Sequence, residues 1–194
     1  MTHSTKPDIP ECKLHIGGKV RKVGWTVVDA MQGDIVDFVG NCTSLSPFAE
    51  NTVAAIYASH VVEHLAHSSE VRLALKEFYR VLKPAGKLYI AVPDMAQLCR
   101  MFVSPEIPLG VKFGVVNILF GGQSNEFDYH KAGFDEQILT AYLAAEGFHG
   151  IQRVESFDLF DDSSTYKYCD LNVSLNMTAE KPYEFLNAGD QGDK

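Results

Sequence analysis

The sequence predicts a doubly wound α/β domain, its sheet mostly parallel with an antiparallel pair of strands at one edge. Three observations carry that prediction. From residue 50 onward, strand-like apolar runs alternate with segments of helical periodicity, the pattern of βαβ units. "VAAIYAS" (Val53–Ser59) is almost continuously apolar, as a strand buried on both faces of a parallel sheet must be. The last two strand-like runs, Ile151–Phe157 and Asp170–Thr178, are too close in sequence for a helical crossover, so they pair antiparallel.

The elements follow in order. "KLHI" (Lys13–Ile16) is a short strand ended by Gly17-Gly18. "WTVVD" (Trp25–Asp29) is a second, with an acid at its carboxyl end, and "DIVDFV" (Asp34–Val39) a third. "GNCTSLSPFAEN" reads as a loop. After Val53–Ser59, Val71, Leu75, Phe78 and Leu82 recur at helical spacing. Ser68 or Ser69 offers a cap, Glu70 suits the positive first turn, and "KPAG" stops the helix because proline cannot continue it. "KLYIAV" (Lys87–Val92) is the next strand, and Met95–Val103 the next helix. Asp135–Glu146 is a helix with Asp135 as cap. Residues 1–12 read as a flexible lead-in, 13–181 as a single domain, and 182–194 as a disordered tail.

Composition narrows the function classes. The chain has 194 residues, 46% hydrophobic and 22% charged, with a net charge of −8. Such acidity disfavours a general nucleic-acid binder. "MTHSTKPDIPECK" lacks the apolar core of a signal peptide. The longest apolar region, Leu109–Phe120, is interrupted by Lys112 and too short to span a bilayer, so no membrane span is expected. Core packing is its default role. A lid over a pocket and a subunit contact, giving a homodimer, are the alternatives for a segment apolar on all sides. Cys12, Cys42, Cys99 and Cys169 lie far apart with no C-x-x-C, which fits reduced thiols and a cytoplasmic protein.

"SHVVEHLAH" (Ser59–His67) contains H-x-x-E-H, one spelling of a zinc metallohydrolase helix. That chemistry needs two histidines at i and i+4 on one continuous helix and a third ligand elsewhere, for which Glu126, His130 and Glu136 are available. Here His60 directly follows a strand and precedes two β-branched residues, which suits a junction better than a helix. The expectation is therefore no metal, with a zinc metallohydrolase as the lesser reading.

The surroundings of that stretch point elsewhere. "SLSPFAENTVAAIYASHVVEHLAHSSEVRLALKEFYRVLKPAGKLYIAVPD" (residues 44–94) resembles the class I S-adenosylmethionine-dependent methyltransferases, especially the small bacterial methyltransferase-domain group, whose run reads "LPFPDNSFDxVxxxxVLEHL…ExxRVLKPGGxLxIxxPD". "YHKAGFDEQILTAYLAAEGF" (129–148) is similar to the group's "GF(T/S)…LxxAGF" segment. The resemblance implies a Rossmann-like, seven-stranded, mostly parallel sheet with one antiparallel edge strand. The glycine motif departs from "LDLGCGxG": here it is "LHIGGKVRK", and only eleven residues separate Gly17 from Asp29. The first covering helix is therefore expected to be shortened or missing.

Ligands of open α/β sheets bind outside the carboxyl ends of the strands. The resemblance thus implies S-adenosylmethionine as cofactor, with Gly17 and Gly18 near its methionine part and Asp29 accepting from the ribose hydroxyls. Asn41 and Cys42 would lie at the adenine, and Ser59 and His60 at the sulfonium end. A Lys19-Arg21-Lys22 cluster either binds the cofactor carboxylate or is a solvated loop. His60 is a candidate base, against a role limited to hydrogen bonding; Glu63 and His64 read as structural supports and His67 as solvent-facing. Tyr129 and His130, within "EFDYH", are candidates for the acceptor pocket, against a polar loop. The implied function is methyl transfer to a small-molecule or glycan-type acceptor. An inactive binding or scaffold protein on the same fold is the alternative.

Overall fold

The computed structural model describes residues 11–183. The expected lead-in and tail lie largely outside them. Strand β1 (Cys12–Ile16) already takes in Cys12, the last residue assigned to the lead-in. It is followed by β2 (Thr26–Asp29), β3 (Phe38–Val39), β4 (Val53–Ser59), α1 (Glu70–Val81), β5 (Leu82–Pro93), α2 (Met95–Val103), α3 (Leu109–Phe120), α4 (Glu136–Ala145), β6 (His149–Val154), β7 (Lys167–Tyr168), β8 (Leu171–Asn172) and β9 (Ser174–Glu180). Seven strands form one sheet in the order β3-β2-β1-β4-β5-β9-β6, while β7 and β8 form a separate hairpin. All pairs from β3 to β5 are parallel, and β9 runs antiparallel to both its neighbours. The antiparallel strand is thus present and belongs to the terminal pair, but it lies one place in from the edge, which β6 occupies.

The apolar run Val53–Ser59 forms β4 with the predicted limits and the deepest burial of the parallel strands. α1 begins after Ser69 and stops at Val81, so the proline of "KPAG" has the expected effect. The same four residues then enter β5 as an irregularity in its pairing with β4, which lets β5 run longer than "KLYIAV" alone. α2 starts at Met95 because the Asp94 carboxylate accepts from Gln97 N at 3.0 Å; Asp135 caps α4 in the same way, at 2.8 Å from Ile138 N.

Three expectations need correcting. The third strand is only Phe38–Val39, since the Asp37 carboxylate turns back to accept from Val27 N and Arg21. The run Asp170–Thr178 divides: positive φ at Cys169 and Asp170 makes the β7–β8 turn, and β9 begins only at Ser174. Core packing is not the main condition of Leu109–Phe120: in α3 only Val115 is fully buried, against Leu98, Met101 and Val173, while Leu109 and Phe113 are about 70% exposed (71% and 68%).

The two faces of the sheet are covered differently. One carries Leu14, Ile16, Ile56, Ala58, Leu88 and Ile90 against Val71, Leu75 and Phe78 of α1 and Leu139 and Leu143 of α4, all in one apolar cluster. The other presents His15, Tyr57 and Tyr89 in lateral register. No helix forms between β1 and β2, as the short glycine motif foretold. Part of this face is covered instead by the irregular segment 155–166. Its Phe160 ring lies 4.1 Å from His15, 4.6 Å from Tyr57 and 5.2 Å from Trp25, and its Phe157 lies 5.6 Å from Tyr89. Polar side chains of β9 fasten it: Asn176 donates to the carbonyls of Glu155 and Ser164, both at 2.9 Å, and Ser174 to that of Ser163 at 2.7 Å.

Candidate functional site

The strand order reverses between β1 and β4, and a crevice opens at the carboxyl ends of the strands on either side of that point. A cavity of about 490 Å³ occupies it, within the range of small-molecule sites. Of the residues picked out in the sequence, Gly17, Asp29, Asn41, Cys42 and His60 line it; Gly18, Ser59, Tyr129 and His130 do not.

Gly17 sits at φ +67°, and a Cβ there would come within 2.6 Å of the Val61 side chain, so the turn out of β1 passes tightly against the turn after β4. Gly18 serves packing rather than the cavity, because a Cβ there would meet the His15 ring at 2.8 Å. His15 is buried, and burial lowers its pKa and keeps it neutral. Asp29 is nearly buried. Its Oδ1 accepts from Met31 N at 2.8 Å and its Oδ2 from Lys19 at 2.8 Å. Lys19 itself is 73% exposed, and an ion pair with so exposed a partner is worth about 1 kcal/mol or less, so the carboxylate is readily freed. The basic cluster does not converge on one point: Arg21 pairs with Asp37, and Lys22 donates to Leu159 O with its charge 5.2 Å from the Phe160 ring centre.

On the far side of Asp29, Gly40 N donates to the Asp29 carbonyl, and Asn41 Oδ1 accepts from Thr43 N at 3.0 Å, which leaves the amide group of Asn41 uncommitted to the turn. Cys42 is buried, and desolvation pushes its thiol up to about 12, so it lines the site as an apolar, protonated group. The loop that follows is clamped to α1 by Glu77, which accepts from Leu45 N at 2.6 Å, and by Arg80, which donates to the carbonyls of Phe48 and Leu45.

His60 takes φ +54° at the end of β4, a left-handed conformation uncommon outside glycine, held by its N–H donating to Ala91 O at 2.9 Å. Its Nε2 meets Ser174 Oγ at 2.9 Å. That hydroxyl already donates to Ser163 O, so it accepts from the imidazole. His60 Nδ1 lies 3.1 Å from Glu63 Oε1. Burial would pull the His60 pKa down, but the Glu63 carboxylate beside it, together with Asp162 and the Ser163 backbone, outweighs that and holds it above the ordinary value. Glu63 and His64 lie in a single 3-10 turn, Val62–His64, so H-x-x-E-H does not form a zinc-protease helix: strand geometry up to Ser59 and the kink at His60 prevent it.

The segment 124–131 supplies the opposite wall. Lys131 N and Ala132 N both donate to the Glu63 carbonyl, at 2.7 and 3.0 Å, which brings "EFDYH" against "VVEH". Ser124, Asn125, Phe127, Asp128 and Lys131 line the cavity, whereas Tyr129 is 44% exposed and His130 packs edge-on against His64, ring centres 4.7 Å apart. Burial lowers the His130 pKa, leaving it neutral. Sequence reasoning found this loop through its polar cluster; of that cluster Asp128 lines this cavity while Tyr129 and His130 do not, since facing is set by turns without a fixed period.

No helix among the described residues is long and apolar enough to cross a membrane. Comparison with known proteins agrees with the architecture. A family model described as "Methyltransferase domain" matches residues 19–90. No curated protein matches the chain. Among solved structures, a SAM-dependent methyltransferase from Archaeoglobus fulgidus is similar with a TM-score of 0.55 at 13% identity, over 88% of this chain and 86% of that one. One from Methanosarcina mazei has a TM-score of 0.54 at 18% identity, over 89% and 93%. The 1,6-didemethyltoxoflavin-N1-methyltransferase of Burkholderia thailandensis, with bound 1,6-didemethyltoxoflavin and S-adenosylhomocysteine, also has a TM-score of 0.54 at 18% identity, over 88% and 71%. The family match over residues 19–90 and the shared fold agree: the chain has the fold of the S-adenosylmethionine-dependent methyltransferases and is similar over that stretch to the methyltransferase domain family.

Proposed function

We propose that the chain is a single methyltransferase-like domain, residues 13–181, that binds S-adenosylmethionine in the cavity at the carboxyl ends of β1, β2 and β4 and methylates a small-molecule or glycan-type acceptor. The observation that carries the reading is the convergence of Gly17, Asp29, Asn41, Cys42 and His60 on one cavity, from positions spread over more than forty residues of sequence. The cofactor supplies an electrophilic methyl on a sulfonium. The chain's part is alignment. Asp29, once Lys19 swings away, presents a carboxylate oxygen to the ribose hydroxyls. Asn41 offers its amide to the adenine edge, and Cys42 and Leu65 give apolar walls.

His60 stands where the methyl donor is expected. With Nε2 donating to Ser174 and Nδ1 beside Glu63, it fixes the turn after β4 and contributes its ring to the wall; a role as base would require release from those partners. Ser59 and Gly18 support from behind the wall. Tyr129 and His130 belong to the loop that closes the acceptor side. The exposed face of α3, with Leu109, Phe113 and Phe120, is the surface we assign to a homodimer contact. The acidic balance argues for a non-nucleic-acid acceptor, and the free cysteines for the cytoplasm.

Calorimetry with S-adenosylmethionine and S-adenosylhomocysteine tests the reading: binding is expected, and weakening by about 1–3 kcal/mol in Asp29→Ala through lost charged hydrogen bonds. If neither compound binds at millimolar concentration, the cofactor reading fails. The second reading, an inactive binding protein on the same fold, is favoured by the engagement of both Asp29 oxygens with Lys19 and Met31 N. It predicts no methyl turnover with any acceptor even if the cofactor binds.

A further inference from the structure

We propose that Glu63, His64 and His130 form a binding site for a first-row divalent cation, zinc above all. One ligand atom from each of the three lies within 4.8 Å of the others. A zinc–nitrogen or zinc–oxygen bond is about 2.0–2.2 Å, so small torsional closure brings all three onto one ion. Two imidazoles and a carboxylate are a zinc-type donor set; magnesium and calcium take oxygen donors.

Each of the three groups keeps a ligand atom that is not committed elsewhere. The Glu63 side chain is 1% exposed, and both its carboxylate oxygens are buried without a hydrogen-bond partner. A buried carboxylate left in that state is costly, and native proteins almost always compensate it. Glu63 Oε1 forms an ion pair with His60 Nδ1 at 3.1 Å, while the other nitrogen of that ring is held by Ser174, so Oε2 is the carboxylate oxygen left for an ion. His130 Nδ1 is likewise buried with no partner. His64 faces a backbone carbonyl, Tyr129 O, 3.3 Å from its Nδ1. A carbonyl only accepts, so the proton is on Nδ1 and Nε2 keeps its lone pair, the arrangement in which histidines ligate metals.

The placement is built into the backbone. The two segments that contribute the ligands are clipped together by Lys131 N and Ala132 N on the Glu63 carbonyl. The ligand set differs from that of an H-x-x-E-H helix: His60 is outside it and His130 comes from a segment more than sixty residues away. His64 also lines the cavity, so an ion held here borders the space assigned to cofactor and acceptor. The site itself needs neither, and its test is separate from that of methyl transfer.

The experiment is calorimetric titration of the full-length, tag-free, chelator-treated protein with zinc, repeated with cobalt(II) to record its ligand-field spectrum. One equivalent is expected to bind, weakened roughly tenfold or more in His64→Ala and in His130→Ala. Glu63→Gln, which preserves shape, guards against a folding defect in either and should weaken binding likewise. The ring nitrogens of His64 and His130 in the unaltered protein should shift in nitrogen NMR spectra on adding zinc. The proposal is overturned if no stoichiometric zinc binds at submillimolar concentration. Equal binding by the folded variants, or zinc binding that leaves both rings unshifted, would overturn it as well. Cofactor binding measured alongside reports on the methyltransferase reading alone.

Discussion

The two faces of the central sheet solve one problem by different means. On the face of α1 and α4, apolar side chains from both helices meet Leu14, Ile56, Leu88 and their neighbours in a continuous core. On the other, where no helix follows β1, the largely irregular residues 155–166 lie over His15, Tyr57 and Tyr89. A coil has no internal ladder to satisfy its backbone, so it borrows donors from the sheet: Asn176 and Ser174 reach its carbonyls, and Tyr57 reaches Asp162 at 2.9 Å. The parallel sheet requires cover on both faces, and aromatic rings with a few buried hydrogen bonds provide it where a helix does not.

The contrast has measurable consequences. Phe78→Ala, on the helical face, should cost about 3–5 kcal/mol in denaturant unfolding, because a fully buried ring is lost from a core that cannot collapse around the gap. A cost near that of a surface substitution would mean that this face does not dominate stability. Tyr57→Phe, on the coil face, keeps the ring but removes a hydroxyl bonded to Asp162 and Ser164, and should cost about 1–2 kcal/mol. Its signature is local: faster amide exchange in 155–166 with little change in β4. Uniform acceleration across the sheet would show that the coil is no separate unit.

How far each face was legible in the sequence follows from the range of its contacts. The apolar run of β4 and the period of α1 announce themselves within a dozen residues, because burial on both faces or along one stripe imposes a local pattern. Part of the cavity lining was legible for a related reason: Asp29, Asn41, Cys42 and His60 follow or end strands, and topology puts strand ends at the crevice. Phe157, Phe160 and Asp162 had no such signal, since their partners Tyr57 and His15 lie a hundred residues or more earlier and an irregular segment has no period. The Lys19–Asp29 pair and the approach of His130 to Glu63 were hidden for the same reason, each depending on a turn whose direction no propensity fixes.

The smallest expected effect tests whether the helical face is purely apolar in its economy. Glu77 of α1 accepts from Leu45 N and from Arg80, and so ties the loop beyond Asn41 and Cys42 to the helix. Hydrogen bonding from Arg80, joined by that from Leu45 N and by the Arg80 charge, outweighs the opposing cost of burial and holds the Glu77 pKa below its ordinary 4.5. A carboxylate with a depressed folded pKa contributes stability that is fully present above 4.5 and is lost as pH falls through the folded value. Glu77→Gln should therefore destabilise by about 0.5–1 kcal/mol at neutral pH, at the low end because solvent screens the clamp. The difference from the unaltered protein should close as the solution is taken below pH 4.5, when the native carboxylate also protonates. A gap that stayed constant into acid would mean that the clamp works by shape and not by charge. A gap confined to cofactor affinity, with unfolding unchanged, would move Glu77 from the stability of the helical face to the shaping of the adenine side of the cavity.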